Sequence, residues 1–215
     1  MRHCSPEWMR IIDVAKEQTF FKKGQEIITE GDRVTGLYLI QHGRVKIISY
    51  GPNKKEQIVR LANDGHVVGH CAFGGETYPV SAIALEDTRA CFLVNDVLVK
   101  AYLENPSFTL AFMTYYSTEL RKLEMRLKHI AQMNIHEKVA ESILYLYDIF
   151  GADPETQLLN VHLSRQELAD LVGTNAEQVT RQLTLFNEEK LIEKEGKDLK
   201  ITDPVALRRI IEKYH

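Results

Sequence analysis

Leu163–Phe186 reads LSRQELADLVGTNAEQVTRQLTLF, and the fold of the C-terminal part turns on it. The spacing predicts two helices joined at Gly173. Ser164 can cap the first, and Glu167, three residues on, holds the partner position of a capping box. Leu168, Ala169, Leu171 and Val172 give that helix an apolar face, with Ala169 small where a second helix must cross closely. Gly173 can take the positive φ that ends a helix. Asn175 can cap the second helix, whose Val179, Leu183 and Phe186 face inward. Ala176, Glu177, Gln178, Thr180 and Arg181 are left on or near the outer face at its N-terminal end. This is the pattern of a helix-turn-helix, whose second helix enters the DNA major groove N-terminus first.

The exposed chemistry sharpens that reading. The guanidinium fork of Arg181 matches guanine O6 and N7, and Glu177 can accept from cytosine N4. The two stand at i and i+4, on one side of one helix, with Thr180 beside them. The plain alternative is a solvated Glu–Arg pair worth a few tenths of a kcal/mol. Further on, Leu191–Lys194 and Leu199–Thr202 flank Glu195-Gly196-Lys197-Asp198, a strand pair with a glycine turn. Lys138–Phe150 reads as an amphipathic helix under the hairpin, Gly151–Asn160 as a polar loop, and Asp203–Tyr214 as a closing helix.

The hairpin resembles that of the CRP/FNR family of bacterial transcription regulators. The core E-x-x-x-R of that family is present as Glu177-Gln178-Val179-Thr180-Arg181. The cyclic-AMP receptor branch has a further arginine where this chain has Ala176. The oxygen-responsive branch, with E-x-x-Ser-R, is closer, Thr180 replacing the serine. The resemblance implies base reading by Glu177, Thr180 and Arg181. It assigns phosphate contacts to Ser164, Arg165, Gln166, Asn175 and Gln178, and to Gly196 and Lys197 at the tip of a wing. It also implies a palindromic double-stranded DNA site and RNA polymerase as a partner.

Before the hairpin the period changes. Pro6–Thr19 can form a short helix. From Phe20 on, the apolar runs Glu26–Thr29, Gly36–Ile40, Arg44–Ser49, Glu56–Leu61, Ser81–Ala84 and Arg89–Val94 alternate with glycine turns. Short strands at this spacing predict an antiparallel barrel or sandwich. Lys23-Gly24 to Glu30-Gly31-Asp32, Leu37-Tyr38-Leu39-Ile40 with Gly43, and Gly65 to Val68-Gly69 resemble the cyclic-nucleotide-binding jelly roll. That fold holds a phosphate in a cassette that runs from Gly-Glu to Arg-Ser/Thr-Ala. Here the cassette starts at Gly69 and ends at Ser81-Ala82, with His70 in the place of the glutamate and Val80 in the place of the arginine. The phosphate's charge partner is missing, so the expected effector is something other than cyclic AMP. His70 and Cys71 suit haem or a metal as ligand types, which leaves a haem- or redox-linked variant open; the plain alternative is a polar turn residue beside a small thiol. An iron–sulfur cluster is not expected, because Cys4 alone stands where the oxygen-responsive relatives carry an N-terminal cysteine cluster.

Asn105–Asn134 reads as one long helix after the cap-and-proline pair Asn105-Pro106. Met113, Tyr116, Leu120, Leu123, Leu127 and Ile130 step by three and four, a coiled-coil seam that predicts a homodimer. The alternative is a helix packed on its own barrel. Leu123 and Glu124 stand where nucleotide-sensing relatives present hydroxyls to adenine.

The expected architecture is therefore α+β: a jelly roll (double-stranded β-helix) over 1–104 as effector domain, a dimerisation helix over 105–134, and a winged helix-turn-helix over 135–215. No apolar run approaches a membrane span and MRHCSPEWMR lacks the apolar core of a signal peptide, so a cytoplasmic protein is expected. No Ser/His/Asp order, metal-ligand spacing or phosphate loop points to an enzyme, and against the alternative of a ligand-binding regulatory module that does not act on DNA stands the C-terminal winged helix. The chain has a formal net charge of −3, and from Ile135 onward ten lysines and arginines face fifteen aspartates and glutamates. A DNA-binding half with that balance must gather its cations locally.

Overall fold

The computed structural model describes residues 4–214. It forms two compact units: one runs to Lys54 and from Val59 to Glu124, the other holds Lys55–Ile58 and the chain from Met125 onward.

In the first unit, helix α1 spans Pro6–Ala15, with Ser5 as N-cap and proline at the start. It ends four residues before the sequence pattern does. Glu17–Phe21 instead forms strand β1, because Thr19, Phe20 and Phe21 favour a pleated strand and pair antiparallel with β8 (Thr88–Val94). The remaining strands are β2 (Glu26–Ile28), β3 (Gly36–His42), β4 (Val45–Tyr50), β5 (Glu56–Ala62), β6 (Val67–Val68) and β7 (Ser81–Ala84). They make two four-stranded sheets, β1-β8-β3-β6 and β2-β7-β4-β5, the double layer of a jelly roll. Inward residues of both sheets, among them Ile40, Val45, Ile47, Val68, Ala82 and Ala90, form one core. Gly24, Gly31, Gly43 and Gly65 take positive φ in turns, as expected. Gly36 has a different role: a Cβ there would lie 2.1 Å from the Leu93 carbonyl oxygen, so β3 and β8 meet closely only over glycine. Asn95–Glu104 forms α2, which the sequence pattern did not reveal.

Helix α3 runs Pro106–Gln132, about 40 Å at 1.5 Å per residue. It stops before Asn134, which begins the next helix. The Asn134 side chain accepts from the Glu137 amide and the Glu137 carboxylate accepts from the Asn134 amide, a complete capping box. Helix α4 therefore spans Ile135–Phe150, three residues longer at its start than the apolar pattern indicates. Only Met133, which is buried, and Asn134 separate α3 from α4.

The second unit continues with α5 (Arg165–Val172), α6 (Ala176–Glu188), an antiparallel pair β9 (Ile192–Glu195) and β10 (Asp198–Ile201), and α7 (Pro204–Ile211), which ends in a 3-10 turn at Glu212–Tyr214. Its core gathers Ile143 of α4, Leu168 and Leu171 of α5, Leu183 and Phe186 of α6, Ile192 and Leu207, all fully buried. Among the described residues no helix is long and apolar enough to cross a membrane.

Candidate nucleic-acid interface

Local chemistry sets the hairpin. The Ser164 hydroxyl accepts from the Glu167 amide at 3.1 Å, and the Glu167 carboxylate accepts from the Ser164 amide at 2.9 Å. Gly173 turns the chain at φ +80° and its amide donates to the Ala169 carbonyl at 2.8 Å. Asn175 caps α6 by accepting from the Gln178 amide at 2.9 Å. Val179, Leu183 and Phe186 face the core, while His136 of α4 lies 4.7 Å from the Phe186 ring and its Nδ1 is 2.9 Å from the Gln182 amide oxygen. These contacts fix the rotation of α6 about its axis.

The opposite face of α6 is open. A shallow groove along it is lined by Ala176, Glu177, Thr180, Arg181, Thr184, Leu185 and Glu188. The expected base readers Glu177, Thr180 and Arg181 thus share one surface. Glu177 and Arg181 have highly exposed side chains, 83% and 67%, and pair at 3.2 Å. An exposed i,i+4 pair is weak, so either partner is released to another acceptor or donor at little cost. The Thr180 hydroxyl donates back to the Ala176 carbonyl at 2.7 Å and keeps lone pairs outward.

Several expected phosphate contacts are occupied within the fold. Gln166 donates its side-chain amide to Asp170 at 2.7 Å, and the Gln178 side-chain oxygen accepts from the Thr174 hydroxyl. Ser164 and Asn175 use their side-chain oxygens as caps. Each cap takes up a first-turn amide, that of Glu167 in α5 and that of Gln178 in α6. Arg165 is half-buried, and burial draws its pKa downward, although a guanidinium stays charged. The wing turn has Gly196 at φ +62° and Lys197 beside it, both exposed, between paired Glu195 and Asp198.

The expected effector residues do not form one set. Gly69 has φ +87°, and a Cβ on it would press on Ile28 and Tyr78. His70 is buried rather than at an open turn. Its Nδ1 lies 3.0 Å from the Val67 carbonyl, and its ring packs edgewise on Tyr115 and tilted on Tyr116. Burial, then the nearby Arg60 charge, pulls its pKa down to about 4. Cys71 is exposed. Val80 packs on the barrel core, and the fully buried Ser81 accepts from the Glu30 amide at 2.8 Å, so its hydroxyl is committed to the fold. Leu123 and Glu124 are exposed on α3.

The expected seam divides. Met113, Leu120, Leu123, Leu127 and Ile130 are exposed apolar side chains, from 39% to 68%. Tyr116 departs from them: it is half-buried, and its hydroxyl donates to the His70 carbonyl at 2.9 Å. The aromatic surface of the cassette draws it inward from the stripe.

Residues 18–105 match the family described as Cyclic nucleotide-binding domain, and residues 137–210 match the Crp-like helix-turn-helix domain. The chain belongs to the CRP/FNR family. This CRP/FNR-family chain is 28% identical over 196 residues to the transcriptional activator protein Anr of Pseudomonas protegens, covering 91% of this chain and 80% of that protein. It is 27% identical over 191 residues to the CRP-like cAMP-activated global transcriptional regulator of Mycobacterium tuberculosis, covering 88% and 85%. FixK2 from Bradyrhizobium japonicum shares the fold, with a TM-score of 0.82 at 19% identity over 91% of this chain and 96% of that one. The CRP/FNR family consists of DNA-binding transcription regulators and not enzymes.

The cassette of this family member differs from the arrangement expected for a phosphate. His70 is turned among tyrosines and Val80 is partly buried against the barrel core. Arg60, whose charge reaches His70, is committed to Glu119 at 3.0 Å and to the Val67 carbonyl at 2.8 Å. Burial pushes the Glu119 carboxyl up, but Lys122 and Arg60 more than offset that and hold it below its ordinary value.

Proposed function

We propose that the chain is a homodimeric, sequence-specific DNA-binding regulator that responds to an effector other than cyclic AMP. The observation that carries the DNA reading is the single open face of α6, where Glu177, Thr180 and Arg181 stand together while the opposite face is anchored to α4. The dimer rests on the exposed apolar stripe of α3 from Met113 to Ile130. Two such chains about a two-fold axis carry two reading helices, which reach major-groove faces about one turn, roughly 34 Å, apart. Phosphate contacts fall to Arg165, Lys197 and the uncapped first-turn amides of α5 and α6. RNA polymerase is the further partner.

Selection from random double-stranded DNA tests the reading. The expected product is a palindrome with half-sites one turn apart, bound with steep salt dependence. Recovery of no motif, or of a single half-site by a dimer, would overturn it. The effector part has its own test. Calorimetric titration with cyclic AMP is expected to give at most millimolar affinity, because no uncommitted arginine takes the phosphate among the cassette residues. Micromolar binding would overturn the effector reading.

A further inference from the structure

A cation outside every expected site stands against the reading helix. Lys194 of β9 donates from its ammonium to the Thr184 hydroxyl at 3.2 Å, and its backbone amide donates to the Asn187 side chain at 3.2 Å. Both partners are on α6. Thr184 continues the outward ridge of Ala176 and Thr180, each threonine donating to the carbonyl four residues before it. Lys194 is exposed and makes no ion pair among the described residues. Alternation along the strand puts it on the side of buried Ile192, toward α6, and turns Glu193 and Glu195 to the other side, where Glu193 meets Lys200 at 3.4 Å. The ammonium has three donors and uses one on Thr184.

Position decides what the free donors meet. Thr184 lies eight residues from Ala176, about 12 Å along the axis. If α6 enters the groove N-terminus first, its start meets base edges. A point about 12 Å back stands at the mouth of the groove, between rows of phosphates. Glu188, one turn further on, is the nearby carboxylate along the same groove. We propose that Lys194 is a DNA phosphate ligand: Thr184 and Asn187 hold it at the groove wall, where it supplies a cation in a half of the molecule that is acidic overall. The inference rests on the docking proposed above for α6.

The competing role is a tether that merely joins β9 to α6. Three variants separate the two: Lys194→Gln keeps a donor for Thr184 without the charge, Thr184→Val keeps the charge without the tether, and Lys197→Gln tests the expected wing contact. Each dimer is titrated, across a range of salt, with a duplex carrying the selected palindrome and with one lacking it. Lys194→Gln should weaken both duplexes alike, about sixfold per contact at physiological salt, and lower the slope of log K against log salt by about 0.9 per contact. Thr184→Val should leave the slope unchanged. A lower slope in Lys197→Gln but not in Lys194→Gln overturns the Lys194 assignment alone. No change in either variant overturns the docking as well. A melting temperature lowered equally in Lys194→Gln and Thr184→Val, with the wild-type slope, makes Lys194 a tether and overturns the proposal.

Discussion

Leu127→Asp is expected to sediment as a folded monomer that has lost tight binding to the palindrome. Leu127 is 68% exposed on the single chain, so an aspartate there removes little from the chain's own core, and its circular dichroism and melting temperature should stay near wild type. Across the proposed two-fold axis the situation reverses. The leucine becomes buried, worth about 1.5–3 kcal/mol per copy, and an aspartate in its place is a charge closed off without a partner. The symmetry applies both losses twice. A monomer also loses the second reading helix, whose effective concentration comes from the dimer, so affinity should fall by orders of magnitude rather than by half. Leu123→Asp should act in the same way, whereas Thr118→Asp, exposed on the same helix but off the stripe, should leave the dimer intact. Unchanged dimers from both leucine variants would place the interface elsewhere.

The second large effect concerns Arg181. Its partner in the free protein is Glu177, at 3.2 Å across solvent, a contact that contributes little to stability. Arg181→Ala should therefore melt with wild type. In the complex, loss of a bidentate contact to guanine costs about 1–3 kcal/mol per half-site, hence about 2–6 kcal/mol for the palindrome. The selected motif should relax at one base pair in each half and stay strict elsewhere. Glu177→Ala should relax a different pair. The salt slope separates these from phosphate contacts: it should hold for Glu177→Ala and fall for Lys197→Gln. If wild type and Arg181→Ala select one motif with equal stringency, Arg181 is not a base reader.

The parts of this molecule that were legible in the sequence are those whose cause is local. Ser164 with Glu167, Gly173 and Asn175 each act within a few residues, and each cap forms as the spacing indicates. The turn glycines and most strands follow for the same reason. Two local features still escaped, the Asn134–Glu137 capping box that starts α4 and helix α2; the other losses depend on distant partners. Glu17–Phe21 continues a helical pattern but is taken up by β8, and Val67–Val68 is a strand only because β3 lies beside it. Tyr116 has the right spacing for the seam, yet His70 and its aromatic neighbours hold it. In the reading half, net charge hid the relevant cations. Lys200, Arg208 and Lys213 are paired with acids, whereas Lys194 gains its interest from a threonine ten residues away. No spacing rule links a strand lysine to a helix hydroxyl, so that placement needed the fold.

The joint between α3 and α4 is two residues long, with Met133 buried and Asn134 locked in its capping box. A linker of that kind behaves as a knuckle and not as a rope. It has no slack to absorb a displacement, and it cannot let α4 drift to a range of distances from the end of α3. Motion at one helix end reaches the other as a change of angle. Because α4 also grips α6 through His136, such an angle would re-aim the reading face as a whole, without any side chain on that face changing its own conformation.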